Sequence, residues 1–145
     1  MQALVQRVSS AEIFINEEQH AKIQTGLLAF VCFESADLES VIDQFIKKIS
    51  EFNFFDDVSG VMASNLQEIE GELMLVSQFT LAAITNKGNK PSFHKAAKTD
   101  HALLLYNQLI RKLDQSSINY QAGEFGASMN VALVNNGPVT FSFNF

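Results

Sequence analysis

"MNVALVNNGPVTFSFNF", residues 129–145, holds two runs of period two around an interruption. Met129, Val131 and Leu133 alternate with Asn130 and Ala132; Val139, Phe141, Phe143 and Phe145 alternate with Thr140, Ser142 and Asn144. Both runs predict strands. Asn136-Gly137 by itself predicts a two-residue type I′ turn, but Pro138 removes a backbone donor where the second ladder should begin. A plain hairpin gains nothing from that proline. The downstream strand also places four aliphatic or aromatic side chains on one face, which a small chain buries against a helix, a second sheet or another copy of itself.

Working outward, Ala3 to Val8 and Ala11 to Ile15 predict a pair of short strands, Gln19 to Gln24 a weaker one, and GLLAFVCF from Gly26 a strand covered on both faces. Between residues 37 and 52, Leu38, Val41, Ile42, Phe45, Ile46, Ile49 and Phe52 share one helical stripe, with Ser35 or Asp37 as the expected cap. Glu72 to Leu81 predicts a second buried strand. A second helix, capped by Thr99 or Asp100, carries Ala102, Leu105, Tyr106, Leu109, Ile110 and Leu113 at helical spacing. Strand blocks separated by two helices lack the regular βαβ alternation of a doubly wound fold. The expectation is a compact α+β domain over residues 1–145, of largely antiparallel or mixed sheet with two main helices.

At 145 residues and 47% apolar, the chain is long enough for one core burying about two thirds of its unfolded surface. The apolar run from Gly26 to Phe33 is far shorter than a membrane helix, and MQALVQRVSS has no signal-peptide core. Cys32 is the only cysteine, so no intramolecular disulfide and no thiolate metal cage are expected. A soluble protein of a reducing cytoplasm fits these features. The net charge of −6 should on average repel nucleic acid, yet Lys87, Lys90, Lys95 and Lys98 gather in one stretch with His94. By itself such a cluster reads first as a solvated Lys-rich loop.

Candidates for chemistry are few. Cys32 lies inside an apolar run with no histidine near it in sequence, which favours core packing over nucleophilic work. His20, His94 and His101 match no metal spacing and read as surface residues. There is no GxSxG, P-loop or GxGxxG. In LMLVSQFTL, alternation sends Ser77 and Phe79 to one face and Gln78 and Thr80 to the other. These polar groups either satisfy backbone at a strand end or line a site, and no base accompanies the Thr80 hydroxyl in sequence.

Taken together, QRV at Gln6 to Val8, SQFTLAA at Ser77 to Ala83, PSF at Pro91 to Phe93, FGA at Phe125 to Ala127 with Met129, and NGPVT at Asn136 to Thr140 resemble the bacterial D-aminoacyl-tRNA deacylases. The similarity runs in order from the first residues to the last. It implies a cytoplasmic homodimer that hydrolyses the ester between a D-amino acid and the terminal adenosine of tRNA, with active sites at the subunit interface and without metal or cofactor. It further implies a cis bond between Gly137 and Pro138, whose carbonyls enter the partner's pocket and exclude an L side chain. By the same resemblance Arg7 braces that loop, Ser77, Gln78, Phe79 and Thr80 surround the ester, and Phe125 and Met129 shape the adenosine pocket. The ribose 2′-hydroxyl of the substrate is expected to assist attack, and the lysines from Lys87 to Lys98 to meet the acceptor stem. A gate that only rejects an L-configured Cβ admits glycine as well.

Two positions depart from the family's usual pattern. Asn136 stands where many members carry Asp, and Lys90 where Arg commonly precedes Pro-Ser-Phe. An editing deacylase for mischarged L-amino acids and a nucleic-acid-binding module without catalysis are the rival readings, and Arg7 argues against the first.

Overall fold

The computed structural model of the protein describes residues 1–86 and 88–145. Lys87 of the basic stretch therefore lies outside the described residues. The chain runs β1 (Gln2–Ile15), β2 (Glu18–Ile23), β3 (Gly26–Cys32), α1 (Ser40–Glu51), β4 (Phe55–Asp57), β5 (Gly60–Ser64), β6 (Glu72–Ser77), a 3-10 turn (Phe79–Ala82), α2 (Thr99–Asp114), β7 (Tyr120–Ala122) and β8 (Asn130–Asn144). It is an α+β fold, as the strand and helix periods predict. Six strands form one sheet in the order β2-β1-β3-β6-β7, with β8 on β1, and β4-β5 form a separate hairpin.

The sheet is mixed. β3, β6 and β7 run parallel, while β1 is antiparallel to β2, β3 and β8. Parallel neighbours need long crossovers, and the segments carrying α1 and α2 supply them. The helices cover one face: Ile42, Phe45, Ile49, Leu105, Leu109 and Leu113 pack against Val5, Leu27, Ala29, Leu73 and Leu75. On the other face Leu28, Met74 and Val76 meet Val8, Ala11, Ile13 and Ile23, because the outer half of β1 and all of β2 curl over the sheet. β3 is thus covered on both sides, and each of its fully buried leucines contributes about 1.5–3 kcal/mol.

Several expectations are corrected. Residues 3–8 and 11–15 form one strand. Ser9 and Ser10 do not end it, because β8 pairs along nearly its whole length while its other edge passes from β3 to β2. The strand expected over residues 72–81 ends at Ser77, where its partner β3 runs out; the Gln78 amide donates to the Val31 carbonyl at 2.8 Å, and a 3-10 turn follows. Neither helix uses its expected cap. α1 starts after Glu39 and α2 after Lys98, without side-chain capping bonds, while the Asp37 carboxylate instead accepts the Met1 ammonium at 2.7–2.8 Å and the Glu34 amide at 2.7 Å. Leu38 consequently precedes α1 and is exposed.

The runs flanking Gly-Pro form one strand, β8, with a wide bulge. Gln6 pairs with Thr140 and Val8 with Asn135, so a single β1 residue, Arg7, faces Asn136 to Val139. Pro138 has no amide hydrogen for the ladder. The apolar face downstream is covered within the chain: Phe141 and Phe143 pack on Phe52 and Phe54, and Phe145 meets Phe45 edge-on.

Candidate active site

Parallel pairing brings the C-terminal ends of β3, β6 and β7 to one rim. Ser77, half-buried, is the last residue of β6 and lies beside Val31. After it the backbone tightens: the Leu81 amide donates to the Gln78 carbonyl at 3.2 Å and that of Ala83 to the Thr80 carbonyl at 3.1 Å. The opening amides of a helical turn have no partner within the turn, so Phe79 and Thr80 present theirs at the rim. Thr80 is exposed, and its hydroxyl oxygen accepts the Gln78 side-chain amide. Phe79, 59% exposed, meets Phe93 edge-on with centroids 5.0 Å apart.

Cys32 lies beneath this turn. Its Sγ is 3.5 Å from the carbonyls of Phe33 and Phe79, and burial pushes the thiol pKa up. It is a packed thiol rather than a nucleophile, in line with its apolar run. Among the described residues, no group of three or more His, Cys, Asp or Glu is placed to hold a metal ion.

The chain leaving β7 forms the next wall. The Gly123 amide donates to the Leu75 carbonyl at 2.8 Å, and the Tyr106 hydroxyl to the Gly123 carbonyl at 3.2 Å. Phe125 packs on Tyr106, centroids 5.4 Å apart, against the helix-side core. Met129 packs against the opposite core, which includes Met74 and Val76 of β6. The two residues therefore flank the end of β6 from the two faces of the sheet.

The basic stretch lies along the same rim. Ile84 and Ser92 exchange backbone hydrogen bonds at 2.8 and 3.1 Å, and beyond them the Ala97 amide donates to the Phe33 carbonyl at 2.9 Å and that of Ser35 to the Lys95 carbonyl at 3.1 Å. Lys90, Lys95 and Lys98 are exposed here. A cleft of about 660 Å³ opens beside them, lined by Ala83, Ile84, Thr85, Asn86, Ser92, His94 and Lys95, with Ser92 Oγ 3.0 Å from His94 Nδ1. His20 and His94 are exposed, but His101 is half-buried with Nε2 3.0 Å from the Asp37 carbonyl, which sequence spacing did not reveal.

The Gly-Pro bulge stands elsewhere. Arg7 pairs with Leu27 and thereby with Leu73, whereas Ser77 aligns with Val31 and Ala3. The two registers are four residues apart, about 13 Å of strand. Arg7 is 7% exposed; its Nε donates to the Asn136 carbonyl and its Nη1 to the Phe54 carbonyl, both at 2.9 Å, and Nη1 lies 3.3 Å from Asp56 Oδ1. The Gly137-Pro138 bond is cis, and both residues are exposed. Gly137 has φ +142°, and a Cβ there would lie 2.6 Å from Val139 Cγ2, 2.8 Å from the Val139 nitrogen and 3.2 Å from Arg7 Nη2.

Sequence reasoning missed the internal brace of the bulge, Asn135. Its Oδ1 accepts the Val139 amide at 2.8 Å, and its Nδ2 donates to Thr140 Oγ1 at 3.0 Å. An Asn bonding backbone a few residues on is the available signal, and the neighbouring Asn-Gly pair masked it. Asn136 contributes its carbonyl to Arg7, a group any residue supplies, so this bond survives the departure from Asp.

The fold thus brings Ser77 to Thr80, Phe125, Met129 and the described lysines to a single rim, and holds Gly137, Pro138 and Arg7 away from it. Fold and rim together describe a small α+β domain with polar strand-end residues gathered at one end of a mixed sheet. A family model described as D-Tyr-tRNA(Tyr) deacylase matches residues 4–144. A D-aminoacyl-tRNA deacylase of Finegoldia magna is 44% identical over 140 residues, covering 97% of this chain and 95% of the relative; one of Flavobacterium johnsoniae is 43% identical over 141, covering 97% and 94%. A solved structure of a c-Myc DNA unwinding element binding protein superposes with TM-score 0.93 at 33% identity, covering 100% of this chain and 99% of the other. The chain belongs to the D-Tyr-tRNA(Tyr) deacylase family.

Proposed function

We propose that residues 1–145 act as one deacylase unit that hydrolyses the ester of D-aminoacyl-tRNA, and of glycyl-tRNA, while sparing L-aminoacyl-tRNA, as chirality proofreading in the cytoplasm. Water adds to the ester carbonyl, the bond to the ribose oxygen breaks, and a free amino acid and an intact tRNA 3′ end leave. The amides of Phe79 and Thr80 face the developing oxyanion. Ser77, Gln78 and the Thr80 hydroxyl orient the ester and ribose, and Phe125 and Met129 shape the space for adenine. The substrate's own 2′-hydroxyl assists attack, in keeping with a Thr80 hydroxyl bonded to an amide rather than to a base. Lys90, Lys95 and Lys98 meet the acceptor stem, with Lys87 of the same stretch, and Lys90 holds phosphate as a point charge.

The observation that carries this reading is the buried Arg7 holding the bulge through the Asn136 carbonyl. An exposed Gly137-Pro138 pair so braced, four residues of strand away from its own rim, is suited to the pocket of a second copy. The protein then acts as a homodimer in which each bulge gates the other's site. An L-configured Cβ collides with the Gly137 and Pro138 carbonyls; a D side chain points away. Glycine has no Cβ to collide, and a pocket sensing one small apolar group discriminates by only about 1–3 kcal/mol.

The test is parallel deacylation of Gly-tRNA, D-Ala-tRNA and L-Ala-tRNA at one enzyme concentration. Loss of the first two with survival of the third is expected. Protection of Gly-tRNA beside rapid loss of D-Ala-tRNA means that the site reads the D side chain itself, and a rejection-only gate is then wrong. A second reading, a nucleic-acid-binding module, is favoured by the name of the solved relative and by the exposed lysines. Binding of tRNA without turnover of any of the three substrates selects it.

A further inference from the structure

The β4-β5 hairpin stands outside the main sheet, and no part of the ester site uses it. Its root is nevertheless tied to both sides of the bulge. Phe54, fully buried, packs its ring against Phe52, Phe141 and Phe143, which clamps the root to β8 downstream of Pro138. Its carbonyl accepts Arg7 Nη1 at 2.9 Å, and Arg7 Nε reaches the Asn136 carbonyl upstream of Gly137. Asp56 closes the circuit. Its Oδ1 lies 3.3 Å from Arg7 Nη1 and accepts the Met62 amide at 2.9 Å, so the carboxylate is fixed from behind.

The Arg7 side chain is 9% exposed, and Asp56 is its ion-pair partner among the described residues. Carbonyl acceptors at Nε and Nη1 do not neutralise the guanidinium's charge, and a charge so far out of water needs an opposite one. Without Asp56 the cation gains by turning toward solvent. The Asn136 carbonyl then loses the donor that holds it.

We propose that Asp56 is a positioning residue for stereochemical discrimination: it holds Arg7 so that Arg7 fixes the Asn136 carbonyl and, through it, where Gly137 and Pro138 stand. This rests on the gate reading above. Asp56 touches no substrate in this account and acts through Arg7 alone. The hairpin is therefore an element of specificity.

The experiment measures kcat/KM of the full-length protein on D-Tyr-tRNA and L-Tyr-tRNA, with thermal unfolding alongside, for wild type, Asp56→Asn, Asp56→Glu and Arg7→Lys. The Asp56 side chain is 49% exposed, so Asp56→Asn is expected to fold normally. It keeps an oxygen for the Met62 amide and removes only the charge. It should lower the D-over-L ratio about two- to fivefold, the scale of a partly exposed ion pair, by raising the L rate while the D rate holds. Asp56→Glu should recover most of the ratio. A merely structural role moves both substrates together, and that result, an unchanged ratio in Asp56→Asn, or no recovery in Asp56→Glu overturns the proposal. A ratio lowered by Arg7→Lys but not by Asp56→Asn keeps the gate and removes Asp56 from it. A ratio that Arg7→Lys leaves intact overturns the gate, and Asp56's role with it.

Discussion

Alternation puts Arg7 on the strand face of the buried Ala3 and Val5, and it is itself buried where the facing strand bulges. Its Nε donates to the Asn136 carbonyl and its Nη1 to the Phe54 carbonyl, with Asp56 Oδ1 3.3 Å from Nη1. Gly137 is constrained by the same geometry. Its φ of +142° suits glycine, and a Cβ would press on the Val139 backbone and Arg7 together. Gly137→Ala should cost about 1–3 kcal/mol of stability, read by denaturant unfolding, and should raise L-Tyr-tRNA hydrolysis relative to D-Tyr-tRNA. Unchanged discrimination in a folded variant sinks the gate. Thr80 makes the opposite case. Its hydroxyl oxygen is engaged by the Gln78 amide, so Thr80→Ala should retain D-aminoacyl-tRNA hydrolysis within about tenfold, whereas loss of a true acid-base group costs about a hundredfold or more. A substrate ending in 2′-deoxyadenosine, esterified at its 3′-hydroxyl, should be nearly inert, and its normal hydrolysis would remove the assisting 2′-hydroxyl from the mechanism.

At the level of elements, the hairpin should be sensitive to acid. The Asp57 carboxyl is held down at about 2 by hydrogen bonds from the Ser59 and Ser64 side chains and the Ser59 amide, and that of Asp56 is lowered chiefly by the Met62 amide, with Arg7 adding. A carboxylate whose folded pKa is depressed stabilises the fold above its unfolded value, near 3.9, and that contribution drains away as pH falls toward the folded value. NMR signals of Gly60 and Ser64 should therefore move between about pH 4 and pH 2 while those of Leu27 and Leu75 stay native. Hairpin signals indifferent to pH across that window contradict the assignment. At the alkaline end the buried Tyr106 hydroxyl, raised to about 12 by desolvation, stabilises the fold fully below its unfolded value near 10 and less as pH climbs toward 12. The elements themselves were unevenly legible. β3 showed as an apolar run and α1 and α2 as helical stripes because each buries a face in register with its own period. β1 and the end of β6 did not, since whether a strand continues depends on what lies beside it.

For the whole molecule, the bulge and the rim belong to the two ends of the same strands, so the proposed gate requires two copies. Sedimentation at low micromolar concentration should show a dimer. A fully active monomer that still rejects L-aminoacyl-tRNA overturns the cross-subunit gate. The aromatic face of β8, a first reason to expect self-association, is occupied within the chain by Phe45, Phe52 and Phe54, so the case now rests on the exposed Gly137-Pro138 bulge and on β8's pairing with β1 alone. What the sequence by itself determined is the α+β class, the two helices, the buried strands β3 and β6, and the family, because periodicity and local motifs are written in neighbouring positions. What only the tertiary structure decided is the unbroken course of β1, the 3-10 turn over Phe79–Ala82, the contacts of Asn135, Phe54 and Asp56 around the bulge, and the distance that parts the bulge from its own rim. The course of β1 and the ties of Arg7 to Phe54 and Asn136, 47 and 129 positions away, exist only once the sheet has brought its edges together, while the 3-10 turn and the Asn135 bonds are local but form only in that setting.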